Sequence, residues 1–157
     1  MASDSQIPLT GNFKRSVDDK QRITIPKELR AALGESTGRI FYVAPSTDGS
    51  LAIFDHDSFV QLAERLRAAP PTERDVRAVG RVFYAQARRV ELDRQGRLRI
   101  PQELADSARL GKEIILIGAG DRMELWCTET WEAYTTEKQP RYDELAEAAF
   151  NPTHRQN

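Results

Sequence analysis

Apolar and polar residues alternate in two short stretches, Ile23-Thr24-Ile25 and Leu98-Arg99-Ile100, which predicts strands with one buried face. Each stretch runs into a proline followed by helical spacing: Pro26 precedes Leu29 and Leu33, and Pro101 precedes Leu104 and Ala108. Both prolines suit the first position of a helix, where the missing N–H costs nothing, and Gly34 can close the first helix. The apolar runs Arg39–Ala44 and Glu113–Ile117 predict buried strands, each leading through a glycine-containing turn, Asp48-Gly49 or Gly118–Asp121, into the next. Phe59, Leu62, Ala63 and Leu66 then fall at i, i+3, i+4 and i+7 of a longer helix that Pro70-Pro71 breaks. Thr72-x-x-Asp75 resembles a capping box opening another helix, with Val76, Val79 and Phe83 as its apolar stripe. A final helix is expected from about Arg141 to Phe150, followed by a frayed tail.

This order of elements occurs twice. VDDKQRITIPKEL from Val17 aligns with LDRQGRLRIPQEL from Leu92 at a constant offset of 75, and six of the twelve positions from Asp18 to Leu29 are identical. The later segments LAIFDHDSFVQL from Leu51 and MELWCTETWEAY from Met123 match more loosely. Each half runs strand, tight turn, strand, short helix, two strands, helix. A unit of roughly 50–60 ordered residues buries little surface and is marginal alone. The two copies are therefore expected to pair their strands into one barrel-like core with pseudo-twofold symmetry.

Charge is uninformative in total and informative in place. The net value is −1, yet Arg77 to Arg99 holds seven arginines against Glu91 and Asp93, a local balance of +5. Glu129 to Glu147 has a local balance of −4. A nucleic-acid surface needs a basic face rather than a basic total; solvated helix faces are the other reading of such runs. No apolar run approaches the roughly 18–20 residues of a membrane span, and the beginning lacks the layout of a secretory signal. With Cys127 as the only cysteine, no intrachain disulfide can form, and a cytoplasmic setting is expected.

The duplicated motif is Asp-x-x-x-Arg, Asp18 to Arg22 and Asp93 to Arg97, placed where a hairpin turn is predicted. An aspartate opening a turn can accept backbone N–H groups further round it. Gly96 supplies a left-handed residue freely; Gln21, its counterpart, does so only at a cost, so the first turn is either strained or differently shaped. The returning arginine can pair with the aspartate. That pair is either a brace that stiffens a hairpin or a device that holds a guanidinium fork at the angle needed to read a guanine edge. Its repetition and its flanking cations favour the second reading. Lys14, Arg15 and Lys20 flank the first copy; Arg88, Arg89, Arg94 and Arg99 flank the second, as suits phosphate contacts that position without reading sequence.

Other chemistry finds little footing. His56 lies beside a predicted helix cap, His154 lies in the tail, and Cys127 follows Trp126 at a strand end, so no catalytic residue, metal site or cofactor is expected. Gly118-Ala119-Gly120 lacks the helix-opening context of a phosphate loop. Phe54, Trp126 and Trp131 read as core rather than as stacking platforms.

GNFKRSVDDKQRITIPKELR, ARRVELDRQGRLRIPQEL and IILIGAGDRMELW resemble the MraZ family of bacterial regulators, built from two tandem SpoVT-AbrB units, over roughly Leu9 to Phe150. The resemblance implies an α+β, β-rich swapped-hairpin (double-split) β-barrel of the AbrB/MazE/MraZ type, formed by two tandem repeats with flanking helices. On this scheme 1–10 is a flexible N-terminal segment, 11–58 the first repeat, 59–85 linking helices, 86–130 the second repeat and 131–157 C-terminal helices and tail. It further implies a ring-shaped homo-oligomer, associated with the nucleoid. Such a ring binds double-stranded DNA at short promoter repeats of the division and cell-wall gene cluster, including the regulator's own gene. The family's signature acid and arginine fall on Asp18 and Arg22 and on Asp93 and Arg97; Gln21 departs from the usual glycine. An antitoxin-like protein-binding module on the same fold is the alternative, although its usual form is one such unit with a long tail.

Overall fold

The computed structural model describes residues 7–34 and 38–151; the outer parts of both predicted terminal segments, with His154, lie outside them. The first copy comprises β1 (Asn12–Ser16), β2 (Arg22–Thr24), α1 (Lys27–Leu33), β3 (Ile40–Pro45), β4 (Leu51–Asp55) and α2 (His56–Ala68). Helix α3 (Arg74–Gln86) leads to the second: β5 (Arg88–Glu91), β6 (Arg97–Arg99), α4 (Gln102–Ser107), β7 (Glu113–Gly118), β8 (Met123–Cys127) and α5 (Thr128–Lys138). A short 3-10 turn, Gln139–Arg141, then opens into α6 (Tyr142–Phe150). Local chemistry sets these boundaries. The Asp55 carboxylate accepts the Ser58 N–H at 2.7 Å and so caps α2.

The fold is mixed α+β with a mostly antiparallel sheet, and the pairing interleaves the copies. The six-stranded sheet has the order β1-β7-β8-β4-β3-β5, so the first strand of each copy pairs with a strand of the other. Phe13 lies opposite Leu116 and Arg88 opposite Val43, equivalent registers on the two sides. In the middle, Leu51 faces Leu125 and Ile53 faces Met123 about a central Ala52–Glu124 pair. A separate two-stranded ribbon joins β2 to β6 with Ile23 opposite Leu98, the same position in each repeat. The inward residues Ile23, Leu98, Leu29, Leu104, Ile53 and Leu125 belong to one buried cluster, so neither half has a core of its own. The ladder does not close into a barrel among the described residues, because β1 and β5 remain as edges.

Several details depart from the pattern-based reading. Pro26 and Pro101 sit one residue before their helices, with extended ψ of 145° and 135°; the proline ring sets φ while the next residue starts the helix. Thr72 caps nothing: α3 begins at Arg74, and Glu73 instead donates its N–H to the Pro70 carbonyl at 3.2 Å, within the turn that the two prolines impose. The stripe on α3 is not buried, since Val79 is 57% exposed. Leu9, assigned by pattern to the terminal segment, is buried and exchanges two backbone hydrogen bonds with Gly120, at 2.8 and 2.9 Å. Gly118 permits this approach, because a Cβ there would strike the Leu9–Thr10 backbone. Among the described residues no helix is long and apolar enough to cross a membrane.

Candidate nucleic-acid interface

Each Asp-x-x-x-Arg segment folds into the same turn. In the first, the Asp18 N–H donates to the Arg22 carbonyl at 3.0 Å and the Gln21 N–H to the Asp18 carbonyl at 3.0 Å. One Asp18 carboxylate oxygen, Oδ1, accepts the backbone N–H groups of Lys20 and Arg22, both at 2.9 Å. The other, Oδ2, accepts Arg22 Nε at 2.7 Å. The second turn repeats every bond. Asp93 Oδ1 accepts the N–H groups of Gln95 and Arg97 at 2.9 Å, and Oδ2 accepts Arg97 Nε at 2.8 Å. A carboxylate so used fixes both the turn and the guanidinium plane. Only Nε is engaged; among the described residues neither Nη of Arg22 or Arg97 makes a hydrogen bond, which leaves a donor fork on each.

Gln21 does not reshape its turn. It takes φ 59°, Gly96 takes φ 77°, and the two carbonyls are used alike: Ile100 N–H donates to Gln21 at 2.8 Å and Ile25 N–H to Gly96 at 2.9 Å. Of the two alternatives open in the sequence, strain is the one realised. A left-handed non-glycine residue costs about 1–3 kcal/mol, against about 0.5–1 kcal/mol for ordering a glycine. Gln21→Gly is therefore expected to stabilise the protein by about 1 kcal/mol and raise Tm by roughly 2–4 °C. A thermal melt with an unchanged or lower Tm would contradict this.

The ribbon between the turns decides where the arginines point. Alternation sends Ile23 and Leu98 inward and Arg22, Thr24, Arg97 and Arg99 outward. Register sets Arg22 opposite Arg99 and Thr24 opposite Arg97, a two-by-two array with three arginines. From strand geometry the Cα atoms of Arg22 and Arg97 lie about 8 Å apart on the diagonal. The pseudo-twofold axis through Ile23 and Leu98 makes one patch of two motifs that are 75 positions apart in the chain.

The flanking cations are placed unequally. Lys20 and Arg94 are exposed at the two turn tips. Lys14 and Arg89 are exposed on the edge strands β1 and β5. Arg15 donates to the Lys14 carbonyl at 2.8 Å and stands over the Phe13 ring. Arg88 is partly occupied, bonding the Ala85 and Ala87 carbonyls and facing Glu103 at 3.5 Å. Arg30 carried no signal in the sequence: its guanidinium lies against Gly96, where a Cβ would come within 2.7 Å of Nη1. Its repeat counterpart is Ala105, so the missing side chain at Gly96 makes room for a cation that the first turn lacks. A basic residue opposite a glycine in the other repeat is a clue only once the pairing is known.

Asp18 and Asp93 both lie below the usual aspartate value of 3.8. The largest cause is the backbone N–H of Arg22 or Arg97; desolvation opposes it, and the arginine side chain then lowers the value further. A depressed folded value means that the stabilising contribution is present above the unfolded value of about 3.9 and is lost as pH falls through the folded one. Both turns are expected to keep their geometry across pH 5–8. An NMR titration should show the two carboxyl carbons among the last aspartates to protonate on acidification; midpoints at or above 4 would contradict this.

The remaining candidates take structural places. Phe54 and Trp126 are buried, and Trp131 meets Trp126 edge to face at 5.2 Å. Cys127 is buried with Sγ 2.8 Å from Glu129 Oε2, and His56 is the first residue of α2. No group of three or more His, Cys, Asp or Glu among the described residues could hold a metal ion.

Comparison with known proteins agrees with this two-copy layout. The family model described as "MraZ protein, putative antitoxin-like" matches twice, at residues 9–82 and 83–151. Transcriptional regulator MraZ of Heliobacterium modesticaldum is 37% identical over 137 residues, covering 87% of this chain and 93% of that protein. The protein of the same name from Alkaliphilus oremlandii is 40% identical over 136 residues, covering 87% and 92%. That from Caldanaerobacter subterraneus is 35% identical over 143 residues, covering 91% and 97%. These relatives are transcriptional regulators, not enzymes, and by two matches spanning nearly its whole length the chain belongs to the MraZ family.

Proposed function

We propose that this protein is a sequence-specific DNA-binding transcriptional regulator whose ribbon face, β2 with β6, enters the major groove. The observation that carries the proposal is the pair of identical turns, each holding an arginine through Nε and leaving its Nη fork free. A two-stranded ribbon fits a groove about 12 Å wide, and an arginine fork matches the O6 and N7 edge of guanine. Lys20, Arg94 and Arg99, with Lys14, Arg15, Arg88 and Arg89 further out, supply the phosphate contacts that set register. The resemblance supports the finer reading. In it the interleaved strands belong to a swapped-hairpin barrel spanning two SpoVT-AbrB repeats, 11–58 and 86–130. The protein works in the cytoplasm on the nucleoid as a homo-oligomeric ring. The ring engages tandem promoter repeats of the division and cell-wall cluster, and linked weak sites gain affinity through effective concentration.

Titration of labelled tandem repeats against a scrambled duplex, at several salt concentrations, tests this. Specific binding should exceed scrambled binding, and log K should fall linearly with log salt. Replacing Lys20 and Arg94 with alanine should make the salt dependence shallower, by about one phosphate contact for each side chain engaged, and leave the specific-to-scrambled ratio intact. Equal affinity for both duplexes would overturn the proposal.

A further inference from the structure

Each short helix is tied to the turn of the other repeat. The Ile25 N–H donates to the Gly96 carbonyl just before α1, and the Ile100 N–H donates to the Gln21 carbonyl just before α4. The two junctions share a backbone and differ in charge. On α1, Lys27 and Arg30 fall at i and i+3, on one flank of the helix; their counterparts on α4 are the uncharged Gln102 and Ala105. In the first turn Asp18 and Asp19 balance Lys20 and Arg22, whereas in the second Asp93 stands alone against Arg94 and Arg97. The ribbon patch thus has a neutral end and a cationic end, and Arg30 belongs to the cationic one.

Arg30 is positioned without being paired. Its Nη1, Cζ and Nε lie 2.7, 2.9 and 3.2 Å from the place a Gly96 Cβ would take, and Gly96 is buried beneath it. Arg30 as a whole is half-buried; its Nε is fully buried and has no hydrogen-bond partner. Among the described residues no carboxylate or carbonyl accepts from either Nη of Arg30, whereas Arg22 and Arg97 are each tied down by an aspartate. A guanidinium is a rigid, planar fork of donors that matches phosphate, and its bonds to an ionised acceptor are the strong ones. Gly96 immediately precedes Arg97, so this fork lies one residue from the fork that faces a base. Ala105, 2% exposed, offers no equivalent at the first turn.

We propose that Arg30 holds a DNA phosphate beside the base that Arg97 faces, a backbone contact that the first turn lacks. The inference rests on the DNA-reading proposal above and gives the second turn an anchor of its own. A phosphate contact positions a protein without carrying sequence information. Arg30 therefore contributes affinity and salt dependence, while Arg97 contributes discrimination.

Methylphosphonate scanning of the tandem-repeat duplex, which makes one backbone phosphate neutral at a time, provides the test. It is run with full-length unaltered protein, Arg30→Met and Arg30→Lys. Methionine keeps an unbranched stem over Gly96 and removes the charge; lysine keeps the charge. The end bound by the second turn is the one whose base change Arg97→Ala no longer senses. There, one neutral phosphate should weaken the unaltered protein and leave Arg30→Met unaffected; neutral phosphates at the other end should weaken both alike. Between about 50 and 200 mM salt, Arg30→Met should lose about 3-fold less affinity per bound protomer than the parent. Arg30→Lys should restore that salt dependence, and both variants should keep the parental ratio of specific to scrambled affinity. Folded Arg30→Met with the parental salt dependence and phosphate profile overturns the inference and makes Arg30 a cover for Gly96. A collapsed ratio would mean that Arg30 holds the turn in shape rather than a phosphate. Loss of fold in Arg30→Met, read by circular dichroism, would overturn the assignment too, because a residue that serves the DNA backbone is dispensable to the free chain. Unaltered protein that binds tandem-repeat and scrambled duplexes equally overturns the DNA-reading proposal itself. Discrimination retained by the unaltered protein beside any of the other failures overturns only the role of Arg30.

Discussion

Arg22→Ala combined with Arg97→Ala is expected to abolish discrimination between the tandem-repeat duplex and a scrambled one while leaving the fold and assembly intact. A bidentate arginine–guanine pair is worth roughly 5- to 150-fold in discrimination, and the two forks sit on one patch. Losing both should lower specific affinity by about 30-fold or more, multiplied further where several protomers bind together. The fold should survive because the turn does not depend on the guanidinium. Asp18 Oδ1 and Asp93 Oδ1 bond only backbone N–H groups, and those remain after truncation. Binding measured beside circular dichroism and light scattering separates the outcomes. Loss of binding only through unfolding would mean that the pair is a hairpin brace, and unchanged discrimination would remove the base-reading role.

Leu98→Ala should produce the largest loss of stability. Leu98 is fully buried opposite Ile23 at the centre of the ribbon, in the cluster to which both repeats contribute. Emptying such a site costs about 2–5 kcal/mol, the removed contacts plus the cavity. For a chain of this size that lowers Tm by roughly 4–20 °C. Because β1 pairs with β7 and β5 with β3, the halves cannot come apart separately. Differential scanning calorimetry should show one transition shifted as a whole. Two transitions, with only the second repeat affected, would contradict a shared core.

The elements and the turns were legible in the sequence because their signals are local. Alternation at Ile23 and Leu98, helical spacing after Pro26 and Pro101, and the repeated Asp-x-x-x-Arg need only neighbouring residues. What was not legible depends on distant ones. The register that sets Arg22 opposite Arg99 follows from pairing between repeats, and so does the placing of Arg30 over Gly96. Val76, Val79 and Phe83 have the periodicity of a buried stripe, but the pattern cannot say whether the covering surface belongs to the same chain, and Val79 and Val82 are bare. Leu9 looked terminal because its partner, Gly120, is more than a hundred residues away. Gln21 left two outcomes open, since a non-glycine residue can either accept a left-handed conformation at a cost or move the turn; the four backbone N–H bonds of that turn hold it in place.

Reading bases and merely supplying charge are separable roles for these arginines. The ratio of tandem-repeat to scrambled affinity, at fixed salt, for the protein with Arg22→Lys and Arg97→Lys separates them. Lysine keeps the charge and gives up the planar fork. If the arginines read bases, the ratio collapses by about 30-fold or more, while the salt dependence of scrambled binding stays as it was. A ratio preserved in the double lysine protein would contradict base reading.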